Sequence, residues 1–135
     1  MEKINPELKL RGFWLMTGYA LVGLVVYLSM TSSPVKLNFG FMYQDKVFHA
    51  LAYFALMFWF AQIYHEKIQR RMLVLIFLLQ GLLMEYLQSM DSARTAELAD
   101  MLANTAGVIL AFVLTRRTLG RILINIESVF FRQDH

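Results

Sequence analysis

Hydrophobic residues fall into four long runs along the chain, separated by short polar clusters. Residues 12–30 (GFWLMTGYALVGLVVYLSM) carry no charge. As a helix rising 1.5 Å per residue they reach about 28 Å, close to the hydrocarbon thickness of a bilayer. The second run, 47–64, is broken only by His49 near its start, and the third, 72–90, holds one acid, Glu85. The fourth, 101–115, is short and takes in residues 98–100 in order to span. The pattern predicts an all-α membrane protein, a bundle of four transmembrane helices over 12–30, 47–64, 72–90 and 98–115. Asn5, Pro6 and Glu7 read as the start of the first helix: a cap, a first-turn proline and an acid facing the positive end of the dipole. After Arg117, Ile122, Ile126, Val129 and Phe130 recur at helical spacing, while Arg121, Asn125, Glu127 and Arg132 take other faces. Residues 118–131 therefore predict a C-terminal basic amphipathic helix lying along the membrane interface.

Composition agrees with this reading. The 135 residues suit a single domain, 1–135. Hydrophobic residues make up 58% and charged residues 17%, against about 45–50% and about 25% in average soluble domains; mean hydropathy is +0.48. With no cysteine, disulfides and thiolate metal sites are excluded. The net charge of +3 comes with no basic patch interleaved with stacking aromatics, so no nucleic-acid partner is expected. The first apolar run exceeds a secretory h-region and reads as an uncleaved anchor. Basic residues alternate by loop. Lys3, Lys9, Arg11, Lys67, Arg70, Arg71, Arg116, Arg117, Arg121 and Arg132 fall on one side, and only Lys36, Lys46 and Arg94 on the other. That bias places both termini in the cytoplasm.

On that topology the charged groups within or against the last three spans collect in their outer halves, and the inner halves hold none. Asp45, Lys46 and His49 open the second helix; Asp45, His49 and Tyr53 are four apart and share a face. Glu85 and Gln88 lie in the last turns of the third helix. Arg94 sits in the outer turn, and Asp100 with Asn104 opens the fourth helix. Glu85 lies about 7 Å along the axis from Met90. A carboxylate inside a span must turn toward partners or a water-filled cavity, and it marks a functional site by default. Ala99, Ala103, Gly107 and Ala111 form a small-xxx-small seam that brings helix backbones close. Singly, Asp45 and Asp100 read as helix caps, Lys46 as a snorkelling side chain, His49 as a packed core residue and Arg94 as an ordinary loop charge.

Two stretches resemble a known family. DKVFHALAY (residues 45–53) is similar to the D-K-x-x-H-x-x-x-Y opening of the VanZ-like family. EYLQSMDSARTAELADMLANTAG (residues 85–107) resembles its second signature: E-x-x-Q, an arginine, then D-x-x-x-N-x-x-G. The match covers roughly residues 30 to 115, and departs in lacking Pro and Gly between Gln88 and Asp100. The resemblance implies a small protein of the bacterial inner membrane, associated with low-level resistance to the lipoglycopeptide teicoplanin. It carries the family pattern onto Asp45, Lys46, His49, Tyr53, Glu85, Gln88, Arg94, Asp100, Asn104 and Gly107.

Three functions compete. The first is an outer-leaflet site for an envelope lipid, a wall precursor or a lipoglycopeptide. Lys46 and Arg94 would pair with phosphate or carboxylate there, while Glu85, Asp100 and Asn104 position those cations or accept hydroxyls. The second is an intramembrane enzyme acting on a lipid headgroup, with His49, Glu85 and Asp100 as candidate catalytic groups, since histidine titrates closest to neutrality. His49, Glu85 and Asp100 also suit a divalent metal, but one histidine with carboxylates names none, so no metal or other cofactor is assigned. No H-E-x-x-H, G-x-S-x-G or Walker-type loop occurs. The third is an interaction module whose polar groups lock the helices. A transporter is disfavoured, because four spans leave no room for two repeats unless the chain dimerises. The oligomeric state is not legible.

Overall fold

The computed structural model describes residues 8–30, 40, 44–90 and 98–132; Asn5, Pro6, Glu7 and Arg94 lie outside them. It is all-helical, with no strand among the described residues: α1 (Arg11–Met30), α2 (Gln44–Ile63), α3 (Lys67–Ser89), α4 (Leu98–Arg117) and α5 (Ile122–Arg132). The first four are long and apolar enough to cross a membrane. By length and composition the chain is a multi-pass membrane protein.

The helices run alternately up and down, as side-chain ties at both ends show. At the end where α1 and α3 finish, here the upper end, the Gln88 amide donates to the Ser29 carbonyl at 2.7 Å. At the lower end Arg70 gathers carbonyls from the ends of α2 and α4. Its guanidinium donates to Ala61 at 2.9 Å, to Tyr64 at 3.1 Å and to Thr115 at 3.3 Å. The last carbonyls of a helix have no partner within it, and one arginine supplies three of them here.

α2 is the central helix, touching all four others, and its most extensive contact is with α4. Tyr53, Leu56, Met57, Phe60, Ala61 and Ile63 are all buried along it. The close α2–α4 approach rests on Gly107. A Cβ there would collide with the Ala50 carbonyl oxygen and come within 3.0 Å of the Phe54 amide nitrogen. Of the predicted small-residue seam, Gly107 and Ala111 are buried, whereas Ala99 is exposed. The seam therefore works in its lower half. Gly18 plays a lesser part for α1, where an added Cβ would meet the Phe60 ring at 2.9 Å.

Two expectations are corrected. α1 starts at Arg11, because Leu8, Lys9 and Leu10 are non-helical; the expected cap at Asn5 lies outside the described residues. The Lys9 and Leu10 N–H groups are capped from the other terminus. The Glu127 carboxylate of α5 accepts from the amides of Lys9 at 2.6 Å and Leu10 at 2.8 Å, and from the Trp14 indole at 2.7 Å. Glu127 is 3% exposed, so it does not lie on a free polar face. The third helix begins at Lys67, five residues before the hydropathy boundary at 72. Lys, Gln and Arg are good helix formers, but a polar first turn leaves no mark on hydropathy. Arg70 thereby enters α3, and the lower half of the bundle is not free of charge.

Between α4 and α5 the chain turns over residues 118–121, so α5 starts later than 118. The Gln62 side chain holds this turn from both sides. Its amide nitrogen donates to the Leu119 carbonyl at 2.5 Å, and its oxygen accepts from the Ile122 amide at 2.8 Å.

Candidate functional site

The upper end gathers polar side chains from α2, α3 and α4. α2 opens with Asp45, an acid in the first turn, where the helix dipole favours negative charge. Lys46 follows, and its ammonium group bridges two carboxylates: Asp45 Oδ2 at 2.7 Å and Asp100 Oδ1 at 2.6 Å. The side chain of Asp45 is 60% exposed, that of Lys46 20% and that of Asp100 14%. The bridge therefore reaches from the rim of the bundle to its interior and joins α2 to α4.

One turn into α2, His49 faces α4. Its Nδ1 lies 3.2 Å from Asn104 Oδ1. An amide oxygen only accepts, so with this assignment Nδ1 carries the proton. The other ring nitrogen, Nε2, then faces Asp100 Oδ2 across 3.7 Å, beyond ordinary hydrogen-bond length. From α3, Glu85 enters the same space, 3% exposed. One ligating atom each of His49, Glu85 and Asp100 lies within 4.8 Å of the other two.

A further turn down, Tyr53 is 2% exposed and its hydroxyl, within electrostatic reach of Glu85, makes no hydrogen bond among the described residues. Gln80 lies beside it outside bonding geometry. Gly81 makes room for this layer: a Cβ there would come within 3.3 Å of the Asn104 amide and 3.6 Å of the Tyr53 ring. Gly81 is a site-shaping position that the sequence reading missed. The available signal was a lone glycine inside an apolar run, one helical turn before an intramembrane acid.

The structure thus brings together Asp45, Lys46, His49, Tyr53, Glu85, Asp100 and Asn104. Gln88, also expected here, turns away to close the end of α1, and Arg94 is not among the described residues. The larger apolar cavity, about 520 Å³, runs along Tyr19, Phe60, Met72, Ile76 and Gln80. Except for Gln80 the residues named lie away from the polar layer, and the ionisable groups belong to the layer. Comparison of the chain with protein-family models, with curated proteins and with solved structures gave no match.

Proposed function

We propose that the chain is a VanZ-like protein of the bacterial inner membrane. In this reading its upper end lies at the outer leaflet and both termini are cytoplasmic, and the polar cluster binds the headgroup of an envelope amphiphile. The observation that carries the proposal is the convergence of Lys46, His49, Glu85, Asp100 and Asn104 from three helices at one bundle end. Ionisable groups inside a span are expensive to place, and a ligand repays a cluster that packing alone does not need. Lys46 supplies a cation for phosphate or carboxylate; Glu85, Asp100 and Asn104 accept from hydroxyl and amine groups. Contribution to antibiotic resistance would follow from holding a lipid-linked wall precursor, or from blocking insertion of a lipid-tailed antibiotic.

The experiment is a binding panel in nanodiscs: phosphatidylglycerol, a lipid-linked wall precursor and a lipoglycopeptide. The wild type is expected to retain one class, His49→Ala and Arg94→Ala to lose it, and Lys67→Ala at the opposite end to behave as wild type. Equal retention by all variants would end the proposal.

The Lys46–Asp100 bridge favours a second reading, a polar lock between α2 and α4. Against it, Gly107 already sets that contact by backbone approach, and buried ion pairs are poor net stabilisers.

A further inference from the structure

We infer that His49, Glu85 and Asp100 form a divalent transition-metal site, with Asn104 and Lys46 as its outer partners; this deepens the headgroup-binding reading and rests on it. Three observations point the same way. The ligating atoms of the three residues, one from each of α2, α3 and α4, lie within 4.8 Å of one another. Metal–nitrogen and metal–oxygen lengths near 2.0–2.2 Å set tetrahedral ligands roughly 3.3 Å apart. His49 Nε2 and Asp100 Oδ2 are already at 3.7 Å, so small side-chain rotations close the set.

One atom each of His49 and Asp100 is engaged by a neighbouring side chain. A ligating histidine commonly donates its second ring N–H to a fixed acceptor, and ligating carboxylates are themselves hydrogen-bonded. His49 Nδ1 meets Asn104 Oδ1 at 3.2 Å, leaving Nε2 inward. Asp100 Oδ1 is in ion-pair contact with Lys46 at 2.6 Å, and Oδ2 is the oxygen nearer His49 Nε2. A ligand atom of Glu85 lies within 4.8 Å of one on each of them.

Charge and polarity complete the case. A dication would add its charge to that of Lys46, which already touches both Asp45 and Asp100. The buried Tyr53 hydroxyl makes no hydrogen bond among the described residues and is within electrostatic reach of Glu85, so it is available to a ligand of the cluster. One nitrogen and two carboxylate oxygens suit Mn²⁺ or Zn²⁺, and such a cation would bridge the cluster to a headgroup phosphate.

The test is metal content of the untagged protein by elemental analysis, followed by equilibrium dialysis against Mn²⁺ and Zn²⁺. About one cation per chain is expected. His49→Ala and Asp100→Asn should each abolish binding, and Asn104→Ala should weaken it about 10- to 100-fold as an outer partner. Glu66→Gln at the lower end should bind as wild type. His49→Cys keeps a ligand but softens it, so Zn²⁺ or Cd²⁺ should still bind while Mn²⁺ is lost; this outcome does not follow from misfolding. No cation in the wild type, or affinities indifferent to these variants, overturns the site. Repeating the lipid panel in chelator separates the two proposals. Headgroup binding without any metal sinks this inference alone, and metal binding without any headgroup sinks the other alone.

Discussion

Glu127 ties the two ends of the chain together. It accepts two backbone N–H groups and the Trp14 indole, joining the last helix to the entry of the first. Burial pulls its pKa upward, but the Lys9 and Leu10 amides, the Trp14 indole and the Lys9 charge together hold it below the ordinary value of 4.5. A depressed folded-state pKa means stabilisation that is full above 4.5 and lost as pH falls through the lower folded value. Acid titration should therefore release α5 at a pH below 4.5, read as a change in Trp14 emission. Glu127→Ala should remove that transition and lower stability by about 1–3 kcal/mol, the penalty for orphaned buried donors. An unchanged acid transition in the variant would show that Glu127 is not its source. Nothing near Glu127 in the sequence announces this role, because its partners lie 113 to 118 residues away. Polar residues four apart on one helix, such as Asp45, His49 and Tyr53, were legible because their relation is local. The inward turn of Gln88 toward α1 was not, because the i, i+3 spacing from Glu85 leaves the choice between neighbours open.

Among the helices, the α2–α4 pair carries the tightest packing, and the glycines differ sharply in what they allow. At Gly107 an added methyl group meets the Ala50 and Phe54 backbone, which cannot give as a side chain can; at Gly23 it meets nothing within 4 Å. Gly107→Ala should destabilise the protein by about 1–3 kcal/mol or more through overpacking. Gly23→Ala should be neutral or stabilising by up to about 1 kcal/mol through helix propensity. Thermal melts in detergent compare the two, and equal effects would contradict the packing assigned here. The four spans themselves followed from hydropathy, since a bilayer demands length and apolarity and the chain records both. The start of α3 did not. Its first turn is polar because Arg70 serves carbonyls on α2 and α4, a function set by neighbours rather than by the lipid.

At the scale of the whole molecule, alternation of the helices places Asp45 and Asp100 at one end and Lys67, Arg117 and α5 at the other. The absence of native cysteine makes this open to labelling of single introduced cysteines. Lys67→Cys and Arg117→Cys should react from the cytoplasmic side, as the basic bias requires, and Asp45→Cys from the opposite side. Labelling of all three from one side would break the bundle order. The central claim is that the upper polar layer exists to hold a ligand and not to hold the helices. Melting temperature and headgroup retention, measured together on Glu85→Gln, test it most directly. The account predicts a melting temperature close to wild type with retention lost. A melting temperature that falls in step with retention would contradict it.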